Sequence, residues 1–118
     1  MKVGIQIRFQ WKRGQLTPWR ELEFQTSDPE SILDAVFRLQ NRVEPDDELI
    51  FNMFPSLSAG DLVSLRFEDS GPVRHFYCNS YGWTELDTAQ VSSYFALWAT
   101  CEDRWVLSPY DFGRKVAA

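Results

Sequence analysis

The sequence predicts an α+β fold: a small, twisted, mainly antiparallel sheet packed by one main helix over about residues 28–43, with a second short helix possible near 88–99. Three observations carry this. Apolar and polar residues alternate with period two in separate stretches, a well-capped helical stretch lies between them, and turn-forming clusters punctuate the second half. The chain has 118 residues, the size of one ordinary domain, and shows no repeat, low-complexity tract or Gly/Ser linker. It therefore reads as a single domain, 1–118.

The first strand is marked by Val3, Ile5, Ile7, Phe9 and Trp11 on one face, with Gln6, Arg8, Gln10 and Lys12 on the other. Lys12-Arg13-Gly14-Gln15 reads as a turn, and Trp19–Phe24 as the returning strand. Asp28-Pro29-Glu30 then starts a helix: Asp28 caps free N–H groups, Pro29 suits the first helical position, and Glu30 complements the positive end of the dipole. Ile32, Leu33, Val36, Phe37, Gln40 and Val43 follow helical spacing. Glu30, Asp34, Arg38 and Gln40 itself fall at or near the wet side, Leu39 lies off the stripe, and Pro45 ends the helix at or before Glu44.

Glu44–Glu48 reads as a solvated acidic link, and Leu49–Phe54 as a short apolar run of either helix or strand type. Leu62–Phe67 alternates again, Glu68–Pro72 supplies turn chemistry, and Val73–Cys78 returns. Asn79-Ser80-Tyr81-Gly82 turns the chain into a strand over Trp83–Leu86. Three such strands form a meander that needs a helix packed on it. Asp87-Thr88 can cap a helix with Val91, Tyr94, Phe95 and Trp98 on one face, but these residues also favour strands, so helix and strand both stay open for 88–100. Arg104–Leu107 reads as a last strand.

Between the halves stands "FPSLSAGDLVSLRF", Phe54–Phe67. Gly60 can take a positive φ, Ser58 and Asp61 can bond nearby backbone, and Leu57 and Leu62 can anchor both sides of the turn in the core. Its expected role is to fix the register of the strand that follows.

Chemistry-bearing residues are sparse. The one histidine, His75, lies three residues from Cys78 on a strand, so the two point to opposite faces. Cys78 and Cys101 lack CxxC spacing and histidine neighbours, which argues against zinc; a reducing compartment suits them as small hydrophobes. No glycine pattern forms a phosphate loop. Glu85 and Asp87 would share a strand face if the strand extends that far. No catalytic residue, cofactor or metal ligand is assigned. The N-terminus lacks a signal-peptide pattern and no apolar run spans a membrane, so the expected location is cytoplasmic, with no membrane contact.

Charge and aromatic content point to partners instead. Net charge is −5, and there are nine Phe, five Trp and four Tyr. That many rings implies either a generously aromatic core or a partner surface, for which Trp11, Tyr81 and Trp83 are the candidates. Residues 1–20 carry Lys2, Arg8, Lys12, Arg13 and Arg20 without an acid, whereas residues 21–69 carry twelve acids against Arg38, Arg42 and Arg66. A basic hairpin bearing Arg8, Trp11, Lys12, Arg13, Trp19 and Arg20 has the ingredients of a single-strand nucleic-acid binder, although the overall acidity disfavours phosphate binding.

The stretch around Phe51-Asn52, with Ser56, Leu57, Ser58, Gly60 and Asp61, and then Tyr77, Ser80 and Gly82, resembles the signature of YodL-like domains, small bacterial domains also found in proteins of plasmids, phages and conjugative elements. The resemblance covers the middle third of the chain. Pro55 stands where the family has a basic residue, Ala59 for Val, Asn79 for Asp and Trp83 for Phe, and the spacer after Phe51-Asn52 is short. It implies a non-catalytic interaction or accessory domain, with Ser56, Ser58, Gly60 and Asp61 shaping a turn. A Gly-Asp before a strand is also similar to PUA-like barrels, including the ASCH group, which implies the alternative of an RNA- or single-strand-binding module. The expected function is a non-enzymatic protein-interaction or regulatory domain, with a link to a mobile genetic element implied by the resemblance to YodL-like domains. An enzyme using His75 with Cys78 or a carboxylate is a third reading.

Overall fold

The computed structural model describes residues 1–9, 15–44, 48–67 and 71–100, with the side chains of 15, 95 and 97–100 left aside. Alternation at the N-terminus becomes strand β1 (Lys2–Phe9), whose Val3, Ile5, Ile7 and Phe9 are completely buried. The return is earlier than expected and interrupted: β2 (Gln15–Leu16) and β3 (Arg20–Glu23) both run antiparallel along one edge of β1. Between them the register slips by one residue, since Arg8 faces Leu16 while Ile5 faces Arg20. Pro18 has no N–H to offer a ladder here. Thr17 fills the gap instead, donating its N–H to the Ile7 carbonyl and accepting the Ile7 N–H on Oγ1, both at 2.9 Å.

Helix α1 (Pro29–Asn41) starts as the sequence predicts, with Asp28 as N-cap accepting the Ser31 N–H and Pro29 in the first turn. Its other end needs correction. The helix stops at Asn41, short of Val43, because Arg42 takes a left-handed conformation (φ 50°). Val43 N–H then bonds the Arg38 carbonyl and Arg42 N–H the Leu39 carbonyl, a Schellman closure built without glycine. The buried stripe also differs from the expected one. Ile32, Leu33, Val36 and Gln40 are buried and Leu39 packs against the core, whereas Phe37 and Val43 are exposed.

After α1, residues 48–58 form turns with no regular element, so the apolar run Leu49–Phe54 is neither helix nor strand; Ile50 and Phe51 still reach the core. Strands β4 (Leu62–Arg66), β5 (Val73–Asn79) and β6 (Gly82–Leu86) make the expected antiparallel meander. β4 docks on the free edge of β1, giving a six-stranded sheet in the order β2-β1-β4-β5-β6, with β3 beside β2 on β1. Asp87 and Gln90 exchange backbone N–H groups for side-chain oxygens at 2.9 and 2.8 Å, a reciprocal cap that starts α2 (Thr88–Thr100). That cap resolves the helix–strand ambiguity in favour of helix. The strand expected at 104–107 lies outside the described residues, as do the side chains of Phe95 and Trp98.

Strand alternation splits the apolar residues into two cores. On one face Val3, Ile5, Ile7, Phe9, Val63, Leu65 and Phe76 meet Ile32, Leu33 and Val36 of α1. On the other, Leu62, Tyr77 and Leu86 meet Val91 and Tyr94 of α2. A helix therefore packs on each face, the main helix α1 on one and the second helix α2 on the other.

Candidate interaction site

The turn that opens the second half of the chain lies between these cores. Leu57 belongs to the α1 core and Leu62 to the α2 core, so the turn carries the chain from one to the other. Gly60 adopts φ 100°, Asp61 accepts the Ser58 N–H on Oδ2 at 2.9 Å, and Asp61 N–H returns to the Ser58 carbonyl. Gly60 and Asp61 extend the β4–β5 ladder through bonds to the Cys78 carbonyl and N–H, and Tyr94 Oη donates to the Gly60 carbonyl at 2.7 Å. Ser56 is exposed just before it. Asp61 is buried, as are Cys78 and Tyr94 beside it. Burial, reinforced by the Asp61 charge, pushes the Cys78 thiol up to about 12, so it holds almost no thiolate at neutral pH. Tyr94 is shifted upward mainly by burial, with Asp61 and Tyr77 adding to it and Arg8 opposing. These residues build the fold at this corner.

His75 and Ser64 form a pair the sequence did not suggest. They are cross-strand partners, with Ser64 Oγ 2.7 Å from His75 Nδ1, on the face opposite the α1 core. Desolvation lowers the His75 pKa below its ordinary value. A nucleophile–base pair needs a group to orient the other ring nitrogen and donors for the developing oxyanion. Among the described residues His75 has Ser64 as its one recorded side-chain partner. Cys78 projects to the other face of the sheet. Glu85 pairs with Arg74 through bonds of 2.8 and 2.6 Å, and Asp87 caps α2, so the two acids share no strand face. No group of three or more His, Cys, Asp or Glu could hold a metal ion among the described residues, and no helix among them is long and apolar enough to cross a membrane.

The basic N-terminal residues separate. Arg8 points to the α2 face, where it influences Tyr94. Trp19 lies on that same face over Gly4, where an added Cβ would come 3.4 Å from Trp19 Cε3, and Arg66 stacks on its ring at 4.7 Å. Covering a strand glycine with an aromatic ring gives Trp19 a packing role. Arg20 sits opposite Ile5 on the α1 face, donating to the Leu49 and Ile50 carbonyls. Trp11, Lys12 and Arg13 fall outside the described residues.

The aromatic candidates do converge. At the β5–β6 hairpin, Asn79 pairs with Gly82, which leaves Ser80 and Tyr81 as the turn. Gly82, at φ 150°, leads into β6, and the Tyr81 ring stands fully in solvent at 101% relative exposure. Trp83, across from Cys78, packs half-buried against the α1 core and donates its indole N–H to Asp34 Oδ1 at 3.1 Å. Phe37, one turn along α1 from Asp34, completes an open notch of about 230 Å³ lined also by Cys78, Asn79 and Ser80. Asp34 and Phe37 were not among the sequence's candidates. The legible signal was their i, i+3 spacing at the border of the apolar stripe, where an aromatic and an acid share a helix edge.

Fold and notch together define a small α+β domain with an aromatic recess beside a carboxylate. Comparisons with protein-family models, curated proteins and solved structures give no match.

Proposed function

We propose that the chain is a non-enzymatic protein-interaction or regulatory domain that docks a partner protein at the notch of Tyr81, Trp83, Phe37 and Asp34. The observation that carries the reading is the Tyr81 ring, held fully exposed on a tight hairpin beside two further rings. A large exposed aromatic on a rigid turn supplies contact area at small entropic cost, and such residues recur as binding anchors. The resemblance to YodL-like domains supports an accessory role, and a link to a mobile genetic element rests on that resemblance alone. The free, buried thiol of Cys78 is compatible with a cytoplasmic location.

The test is capture from native lysate on immobilised domain, with and without nuclease, comparing wild type with Tyr81→Ala. A stoichiometric protein that survives nuclease and is lost with Tyr81→Ala supports the proposal. Capture that is indifferent to Tyr81→Ala overturns it, as does recovery of RNA or DNA with protein lost on nuclease treatment. The latter outcome would favour the PUA-like alternative. Trp83→Ala is the poorer probe, because Trp83 also packs against the core.

A further inference from the structure

The notch is charged as well as aromatic, and this narrows what it can hold. Asp34 spends one carboxylate oxygen, Oδ1, on the Trp83 indole N–H, while its Oδ2 has no hydrogen-bond or ion-pair partner among the described residues. Glu30 and Arg38 stand one turn to either side of Asp34 on α1, one of each sign, so the formal charge of the three together is −1. Arg74, the cation of β5, is engaged by Glu85. The indole N–H bond to a carboxylate also leaves more electron density on the Trp83 ring, which favours a cation at its face.

A volume of about 230 Å³ admits one long side chain. It does not admit a helix, whose diameter with side chains is about 10–12 Å. Aromatic surfaces beside a free carboxylate oxygen match a planar cation that both stacks and donates. A guanidinium does this better than an ammonium, being flat, weakly hydrated and forked. The net charge of −5 favours encounter with a basic partner.

We infer that the notch receives an arginine side chain of the partner protein, its guanidinium stacked on Tyr81 or Trp83 and donating to Asp34 Oδ2. This rests on the docking proposed above and specifies its chemistry.

The test follows the Trp83 indole N–H resonance of the full chain by NMR. The protein is titrated with two blocked pentapeptides, Gly-Ser-Arg-Ser-Gly and the same sequence with neutral, isosteric citrulline. The arginine peptide should bind saturably at millimolar concentration, at least about fivefold tighter than the citrulline peptide. The difference should collapse in Asp34→Asn, which keeps an acceptor for the indole and removes the charge. Equal response to the two peptides, no response to either, or a preference that survives Asp34→Asn would overturn the inference. The two readings fail separately. A captured partner that depends on Tyr81 while the peptides bind alike sinks the arginine and spares the docking. Capture indifferent to Tyr81→Ala sinks the docking itself.

Discussion

Gln40 and Asn41 stand side by side at the end of α1, and their amides do for the 48–58 segment what a neighbouring strand would otherwise do. Gln40 accepts the Phe51 N–H at 3.1 Å and donates to the Phe51 and Pro55 carbonyls; Asn41 accepts the Leu57 N–H and donates to its carbonyl. A segment without regular structure thereby keeps its buried backbone groups paired. Gln40→Ala should cost about 3 kcal/mol in urea denaturation, since it leaves the Phe51 N–H and the Phe51 and Pro55 carbonyls without the amide that pairs them. A loss below about 1 kcal/mol would show that the loop repairs itself. His75 gives a second residue-scale prediction. Its folded pKa lies below the unfolded value of about 6.5, so the unfolded chain binds the proton first. Stability should therefore be full above about pH 6.5 and fall as pH drops through the folded value. Because His75 is the only histidine, His75→Gln should flatten that slope. An unchanged slope would assign it to other groups.

At the scale of elements, legibility followed the strength of the local signal. The start of α1 was readable because Asp28 and Pro29 each have a backbone reason to stand there, and the meander because its turns carry Gly, Pro and Asn. The end of α1 was not, because the left-handed cap falls on Arg42, where no glycine advertises it. Phe37 left the stripe on which helical spacing places it, while Gln40, which stands at the border of stripe and wet side, is buried for a tertiary reason: its amide satisfies a loop distant from it in sequence. Likewise the slip between β2 and β3 depends on one threonine hydroxyl substituting for a backbone group. Arg42→Gly tests the cap. It should stabilise the fold by about 0.5–1 kcal/mol, by relieving the Cβ strain of the left-handed region net of the extra entropy of an unfolded glycine. Destabilisation in thermal melts would mean that the Arg42 side chain contributes more than its backbone costs.

For the whole molecule, the central fact is a sheet with a core on each face, joined where Ser58–Asp61 is bonded to β5 and to Tyr94. That stretch carries the chain between the cores and sets the β4–β5 register. The notch stands at that same end of β5, just beyond Cys78, where the hairpin holds Tyr81 out and α1 supplies Asp34 and Phe37. Of that site the sequence disclosed Tyr81 and Trp83. Asp34 and Phe37 needed the fold, because only the packing of α1 across the sheet brings residues so far apart in sequence into one notch. The most direct test of the docking claim is the binding of the captured partner to purified wild type and Tyr81→Ala, with the melting temperature of each recorded alongside. A ring fully in solvent contributes little to folding, so the account predicts unchanged melting and at least about a tenfold loss of affinity. Equal affinity at equal melting temperature would contradict it.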